Sequence, residues 1–234
     1  MVKKIRDSEK KEVEGLTEEM VVAQGIIFLA AGFETTSSTM SILMYNLAKY
    51  PNIQERCYEE ISALLSDENV KIDQETINEM PYLEACIQET LRLYPIILRN
   101  QRYCTMDCKV NGMMIKKGTN IIVPTWAMHR NPELFGEDAK EFVPERFLEG
   151  DKMAEQISNH TFHAFGGGPR VCIGMRFAMT EMKLAMSKLL TNFAFKEEPG
   201  MTKLDLQKGG YFVLSYPEMK VRIKARNNST IKEE

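Results

Sequence analysis

The sequence predicts a mainly α fold that carries small β-sheets, on three observations. Apolar residues recur at helical spacing over Thr17 to Lys49 and again over Ile173 to Leu190. Between Ile96 and Val123 the chain breaks into short runs punctuated by Asn111-Gly112 and Gly118. Short alternating runs return after Phe193. With 234 residues, 44% of them hydrophobic, the chain can bury a sizeable core as one large domain or two small ones.

Taken in order, Thr17 is placed to cap the first helix, with Glu18 and Glu19 in its first turn and Pro51 just past its end. Inside it, Ala31 and Gly32 are followed by Glu34, Thr35 and Thr36. Small residues let a ligand lie against the backbone, or let a neighbouring helix pack closely. A threonine hydroxyl can bond the carbonyl one turn back and loosen the helix there. Asn52 to Leu65 and the short Asp73 to Glu79 read as scaffold helices. Pro81 opens the next helix and Pro95 closes it, with Glu89 and Arg92 on one face. At the surface that pair would contribute less than about 1 kcal/mol, but its neighbours Ile87, Leu91 and Leu93 suggest partial burial. Ile96 to Cys104 is extended, Asp107 to Ile115 reads as a hairpin and Gly118 to Val123 as a strand, making a small sheet. Trp126 to Phe135 is a helical turn and a break. Phe193 to Lys196, Tyr211 to Ser215 and Met219 to Lys224 read as closing strands, with a turn at Gly209-Gly210.

Composition excludes several classes. A formal net charge of -3 gives no footprint for nucleic acid. Five cysteines without scaffold spacing fit a reducing compartment. The first sixteen residues are a charged run, neither a signal peptide nor a span. Met20 to Gly32, broken by Gln24, is expected to be too short to cross a bilayer, so nothing in this chain is expected to anchor it.

Residues 162–190 organise the rest. Phe165, Gly166, Gly167, Gly168 and Pro169 cannot form regular structure, and they deliver Cys172 to the mouth of a helix. Unpaired N–H groups gather there and favour thiolate, and Arg170 adds a fixed positive charge. Three glycines allow close approach of a flat ligand, and Gly174 leaves room past the sulfur. Such a thiolate suits axial ligation of heme iron. The competing readings are a buried inert cysteine, a phosphate loop and a zinc site. No Gly-Lys-Ser/Thr follows for phosphate, and His160, His163 and Cys172 fit no common zinc spacing. His129 is expected to bond locally.

Phe165-x-x-Gly168-x-Arg170-x-Cys172-x-Gly174 resembles the heme-binding loop of the cytochrome P-450 family. Ala31-Gly32-Phe33-Glu34-Thr35-Thr36 resembles that family's oxygen-activating segment, and Glu89-Thr90-Leu91-Arg92 and Phe142-Val143-Pro144-Glu145-Arg146-Phe147 follow in family order. The likeness covers about residues 17 to 225 and points to the animal microsomal, family-3-like branch.

The resemblance implies the C-terminal half of that fold around heme b. Cys172 would ligate the iron. Arg170 and Arg102 would hold the propionates, with Arg99 competing for the second place. Phe165, Ala31, Gly32 and Gly174 would lie beside the ring, and Glu34 and Thr35 would hold water and deliver protons. Glu89, Arg92 and Arg146 would form a structural triad, and Ala31, Thr35, Ile96, Ile97 and Leu98 would line an apolar substrate pocket. The implied reaction inserts one oxygen atom of dioxygen into a xenobiotic, steroid or fatty-acid-like molecule. Its electrons would come from NADPH through a flavoprotein reductase, at the cytoplasmic side of the endoplasmic reticulum membrane. On this reading residues 1–16 are a linker, 17–225 part of one domain and 226–234 a polar tail. The membrane anchor and pocket lid would belong to a missing N-terminal half, and the isolated chain is expected to fold poorly or bind heme weakly. The alternative is a heme-free product acting only as an interaction module, with Arg176, Lys183 and Lys188 as a docking patch for the reductase.

Overall fold

A computed structural model describes residues 16–66, 71–151, 161–200, 204 and 219–226. The expected strand at Tyr211 to Ser215, the Gly209-Gly210 turn, His160, and nearly all of the charged start and the polar tail lie outside the described residues.

The architecture is mixed: long helices with small antiparallel sheets. Helix α1 spans Glu18–Lys49, and its first turn is capped as expected, since the Thr17 hydroxyl accepts the Met20 N–H at 3.3 Å. Helix α2, Pro51–Leu64, and helix α3, Pro81–Leu93, each begin on a proline, whose missing N–H costs nothing at that position. Between them Thr76–Glu79 is a 3-10 turn rather than a full helix: the Asp73 carboxylate accepts the N–H groups of Glu75 and Thr76 at its start, and Met80, the residue before Pro81, leaves the helical region at φ -117° and ψ 67°. The start of α3 is capped from α2: Glu60 accepts the N–H of Tyr82 at 2.7 Å and of Leu83 at 2.9 Å. Burial pushes the Glu60 carboxyl up, while these two bonds pull it back.

Strands β1, Asn100–Tyr103, β2, Cys108–Val110, β3, Met113–Ile115, and β4, Asn120–Val123, form two separate two-stranded sheets, β1 with β4 and β2 with β3. The single sheet expected over this region is therefore divided. Residues 104–107 separate the two pairs, the first ending at Tyr103 opposite Asn120 and the second beginning at Cys108 opposite Ile115. The hairpin between β2 and β3 turns at Asn111 and Gly112, both with positive φ, as Asn-Gly chemistry dictates. Helices α4, Thr125–Met128, and α5, Pro132–Phe135, are single turns, and helix α6 covers Met175–Asn192. Strand β5, Phe193–Glu197, then pairs antiparallel with β6, Val221–Ala225.

The core lies where the C-terminal half of α1, α2, α3 and α6 meet, and includes Leu43, Leu47, Ile61, Leu83, Ile87, Met182, Met186 and Leu190. Gln54 ties this core to the closing sheet. Its amide donates to the carbonyls of Leu47 and Phe195 at 2.9 Å each and accepts the Phe195 N–H at 2.7 Å. A buried glutamine survives there because all its strong groups are matched.

The N-terminal half of α1 differs. Ile26, Ile27, Phe28, Leu29 and Phe33 are exposed, Leu29 and Phe33 by more than three quarters (76% and 79%). The helix, of 32 residues, is long and apolar enough to cross a membrane by length and composition, with 6% of its most apolar window buried. The expectation that the stretch was too short counted only Met20 to Gly32, whereas the helix runs unbroken past Glu34. Its far end is a core helix, carrying buried Ile42, Leu43 and Leu47.

Candidate functional site

The framework of the site is a buried charge network at the end of α3. Arg92 is fully buried and grips Glu89 with two parallel bonds, Nε to Oε2 at 2.6 Å and an NH2 nitrogen to Oε1 at 2.7 Å. Its remaining donors reach the carbonyls of His129 at 2.6 Å, Ala139 at 2.7 Å and Glu141 at 3.0 Å. Glu89 also accepts the Val143 N–H at 2.8 Å. Burial pushes the Glu89 carboxyl up, while Arg92, Val143 and Arg146 draw it down. The two parallel guanidinium bonds are the geometry of a carboxylate, and the carboxylate is the form they hold.

Arg146, in the 3-10 turn Pro144–Phe147, donates to the carbonyls of Phe135 and Asp138 at 2.6 and 2.8 Å and pairs with the Asp138 carboxylate at 2.7 Å. Its Nε lies 3.5 Å from Glu89 Oε1, close enough for charge attraction, but makes no hydrogen bond. Glu89, Arg92 and Arg146 are thus brought together as one cluster. Glu89 and Arg92 are more deeply buried than their sequence neighbours suggested.

His129 connects this cluster to the glycine loop, and here the expectation of a local bond is corrected. Its Nε2 accepts the His163 N–H at 2.9 Å, so the ring proton sits on Nδ1 and is donated to the Arg92 carbonyl at 3.1 Å. The partners are 37 and 34 residues away. The ring stacks on Phe162, centroids 5.2 Å apart, and meets Phe135 edge-on. Sequence periodicity could not reveal bonds of this range. Burial lowers the His129 pKa to about 3, so the ring is neutral in the fold.

This histidine sets a pH dependence. Between about pH 3 and 6.5 the unfolded chain protonates it and the folded chain does not, so its contribution is lost as pH falls. Fully developed, that slope is about 1.4 kcal/mol per pH unit. Urea midpoints followed by circular dichroism across this window are expected to fall with pH, and to fall less steeply in His129→Gln. Glu89 acts in the opposite sense, but in both proteins, so the difference reports His129. Equal slopes would remove the histidine from the account.

From His163 the loop is held by its own backbone. The Gly166 N–H bonds the His163 carbonyl at 3.0 Å, and Gly166 and Gly168 adopt φ of 76° and 67°, where a side chain would be strained. The Cys172 N–H bonds the Phe165 carbonyl at 2.9 Å, closing the loop, and α6 starts three residues later, at Met175. Of the five cysteines only Cys172 is exposed. Its chain neighbours Val171 and Ile173 are exposed, as is Phe177 on the first turn of α6. Gly174 backs the sulfur, with the position of an added Cβ 4.0 Å from Sγ. Arg170 and Arg102 are exposed, as is Arg99. Arg102 bonds the adjacent Gln101 carbonyl at 2.9 Å.

On α1, the Thr35 hydroxyl donates to the Ala31 carbonyl at 2.7 Å, the back-bond expected of a threonine here, yet the helix stays unbroken. Ser37, Thr39 and Ser41 repeat the bond on the following turns. Ala31, Gly32 and Glu34 are exposed, and a Cβ on Gly32 would meet nothing within 4 Å. Ile97 and Leu98 are half-buried. Ile96 is buried against Ile42, Tyr45 and Leu204.

The family model described as cytochrome P-450 matches residues 1–224. The chain belongs to the cytochrome P-450 family. It is 44% identical to cytochrome P-450 3A29 of Sus scrofa over 195 residues, 82% of this chain and 38% of that relative. Against cytochrome P-450 3A27 of Oncorhynchus mykiss it is 39% identical over 221 residues, 94% of this chain and 42% of the relative. Against cytochrome P-450 3A5 of Homo sapiens it is 40% identical over 210 residues, 88% and 41% of the two chains. The family-3-like branch is therefore the right one. The chain spans about two-fifths of the length of these cytochrome P-450 relatives.

The residues present fit a heme. An exposed thiol sits in the chain between exposed Val171 and Ile173, apolar surface that a flat macrocycle would cover, on a loop whose closing bonds do not use the sulfur. The helix surface at Gly32 is bare, and Arg102 and Arg170 present exposed guanidinium groups of the kind that suits carboxylates. The docking patch is corrected. Lys183 is buried and bonds Glu84 at 2.8 Å, linking α6 to α3, so of the three basic residues only Arg176 and Lys188 reach the surface.

Proposed function

We propose that this chain carries the heme-binding part of a monooxygenase that inserts one oxygen atom of dioxygen into an apolar organic substrate of xenobiotic, steroid or fatty-acid-like type. The observation that carries the reading is Cys172, the one exposed cysteine, presented by a backbone-closed glycine loop in a chain of this family. When bound, a heme ligated by thiolate supplies activation of dioxygen, with electrons from NADPH through a flavoprotein reductase. The protein's own residues position and protonate. Arg170 and Arg102 offer planar forks to the propionate carboxylates, which suits guanidinium better than ammonium. Thr35 is held by its bond to the Ala31 carbonyl, which leaves the hydroxyl's acceptor lone pairs to orient a water. Glu34, exposed one residue earlier, is the group that would pass a proton to it.

Phe165, Gly174, Ala31 and Gly32 would lie beside the ring, where small or flat side chains let it approach the backbone. Ile97 and Leu98, with Ala31 and Thr35, would line the apolar substrate pocket. Ile96, packed inside, supports them instead. Glu89, Arg92 and Arg146 hold the scaffold behind the loop. The proposed location is the cytoplasmic side of the endoplasmic reticulum membrane, in keeping with the branch.

The test is the carbon monoxide difference spectrum of the dithionite-reduced 234-residue chain, expressed with heme supplied. A red-shifted, thiolate-type Soret band is the expected result. A band typical of a neutral ligand would overturn the thiolate assignment. A chain that binds no heme at all would favour the interaction-module reading for this chain.

A further inference from the structure

The proposed heme chemistry leaves four cysteines unused. Two of them, Cys104 and Cys108, meet at the corner where β1 passes into β2. Cys104 is pinned to the end of the β1–β4 sheet: its N–H bonds the Thr119 carbonyl at 2.9 Å and its carbonyl accepts the Gly118 N–H at 2.8 Å. Cys108 opens β2, opposite Ile115. Only Thr105, Met106 and Asp107 lie between. Asp107 closes the corner by accepting the Lys117 N–H at 2.8 Å and pairing with Lys116 at 2.9 Å.

Within this corner the sulfurs of Cys104 and Cys108 lie 3.7 Å apart. The Cys104 thiol donates to the Met106 carbonyl at 2.9 Å, which leaves the Cys108 thiol to donate to Cys104. Cys104 is buried, while Cys108 is partly open to solvent. The contrast is the pair Cys57 and Cys86, whose sulfurs are 3.5 Å apart but fully buried between α2 and α3, out of reach of a water-soluble oxidant. The first pair combines closeness with access.

We propose that Cys104 and Cys108 form a redox modification site, at which a peroxide-class oxidant converts the two thiols to an intramolecular disulfide. The accessible Cys108 sulfur attacks a peroxide oxygen. The O–O bond breaks, one water leaves, and Cys108 becomes a sulfenic acid. The Cys104 sulfur then attacks the Cys108 sulfur, forming S–S and breaking S–O, and a second water leaves. The two thiols lose two electrons and two protons, and the peroxide gains them. The sulfurs must close to about 2 Å, a movement that the exposed residues between them can absorb. The product ties the β1–β4 sheet to the β2–β3 hairpin two residues after Arg102. The hydrogen bond to Cys104, with some burial, holds the Cys108 proton above its usual pKa, so the reaction is slow beside that of a low-pKa thiol.

Trypsin isolates the site, because cleavage after Arg102 and Lys109 releases residues 103–109 with both cysteines in one peptide. The folded 234-residue chain is incubated with hydrogen peroxide, quenched with catalase, then unfolded, alkylated with iodoacetamide and digested. Peptide 103–109 is expected without alkyl groups and lighter by two hydrogens than the reduced form, and dithiothreitol given before alkylation should restore two alkylation sites. The Met106 sulfoxide, heavier by one oxygen, separates in the same spectrum. Two alkylated cysteines after peroxide would overturn the proposal, as would Cys108 sulfinic acid beside alkylated Cys104. Two further results would also overturn it: equal oxidation of Cys57 and Cys86, and equally fast closure in guanidinium, where proximity in sequence alone would suffice.

Discussion

Replacing Arg92 by alanine is expected to remove about 3 to 5 kcal/mol of stability, the cost of leaving a buried charge without its partner. Set against a total of about 5 to 15 kcal/mol for a folded domain, this is enough to unfold much of the population. The structure says where the loss arises. One buried side chain serves the Glu89 carboxylate twice and three backbone carbonyls, on segments up to 49 residues away. Without it Glu89 keeps only the Val143 N–H and the distant Arg146 Nε. Arg92→Lys is not a rescue, since a single ammonium cannot reach acceptors on opposite sides of a planar fork. Urea denaturation of Arg92→Lys, less disruptive than alanine, should still show a loss of more than about 2 kcal/mol. A shift below about 0.5 kcal/mol, the range of ordinary surface changes, would contradict the buried network. The double variant Glu89→Gln/Arg92→Met should be less destabilised than its single changes sum to, because removing both charges leaves neither stranded.

The long helices and the loop were legible because each has local punctuation. Thr17, Pro51, Pro81 and Asn111-Gly112 act within a few residues of themselves, and the boundaries they imply lie within a residue or two of those observed. Long-range partnerships were not legible. His129 reads as an ordinary loop histidine until the fold sets Arg92 and His163 on either side of its ring. Lys183 reads as surface charge until α3 supplies Glu84. Gln54 reads as one more polar residue on a scaffold helix until β5 presents both of its peptide groups to it. In each case a polar side chain is buried because a distant element satisfies it, and no period in the sequence records that. The chemistry of the family is the reverse case. Its motifs are local, so four short segments were enough to place the chain.

Cys172→Ser is expected to abolish the thiolate-type Soret band of the reduced carbon monoxide complex and to leave the fold alone, and the separation of these effects is the point of the experiment. The loop around Cys172 is closed by backbone groups: Cys172 N–H to Phe165, Val171 N–H to Gly168 and Gly166 N–H to His163. None uses the sulfur. The side chain is exposed, so exchanging sulfur for oxygen should change the urea midpoint by no more than about 0.5 kcal/mol. A hydroxyl cannot ionise as a thiol does, so the strongly donating ligand is lost although the atom stays in place. A variant that keeps the red-shifted band would move the ligand to another cysteine, and Cys108, the only other one open to solvent, is tested by Cys108→Ser. A variant that loses both band and fold would make Cys172 a structural residue and remove the observation on which the functional reading stands.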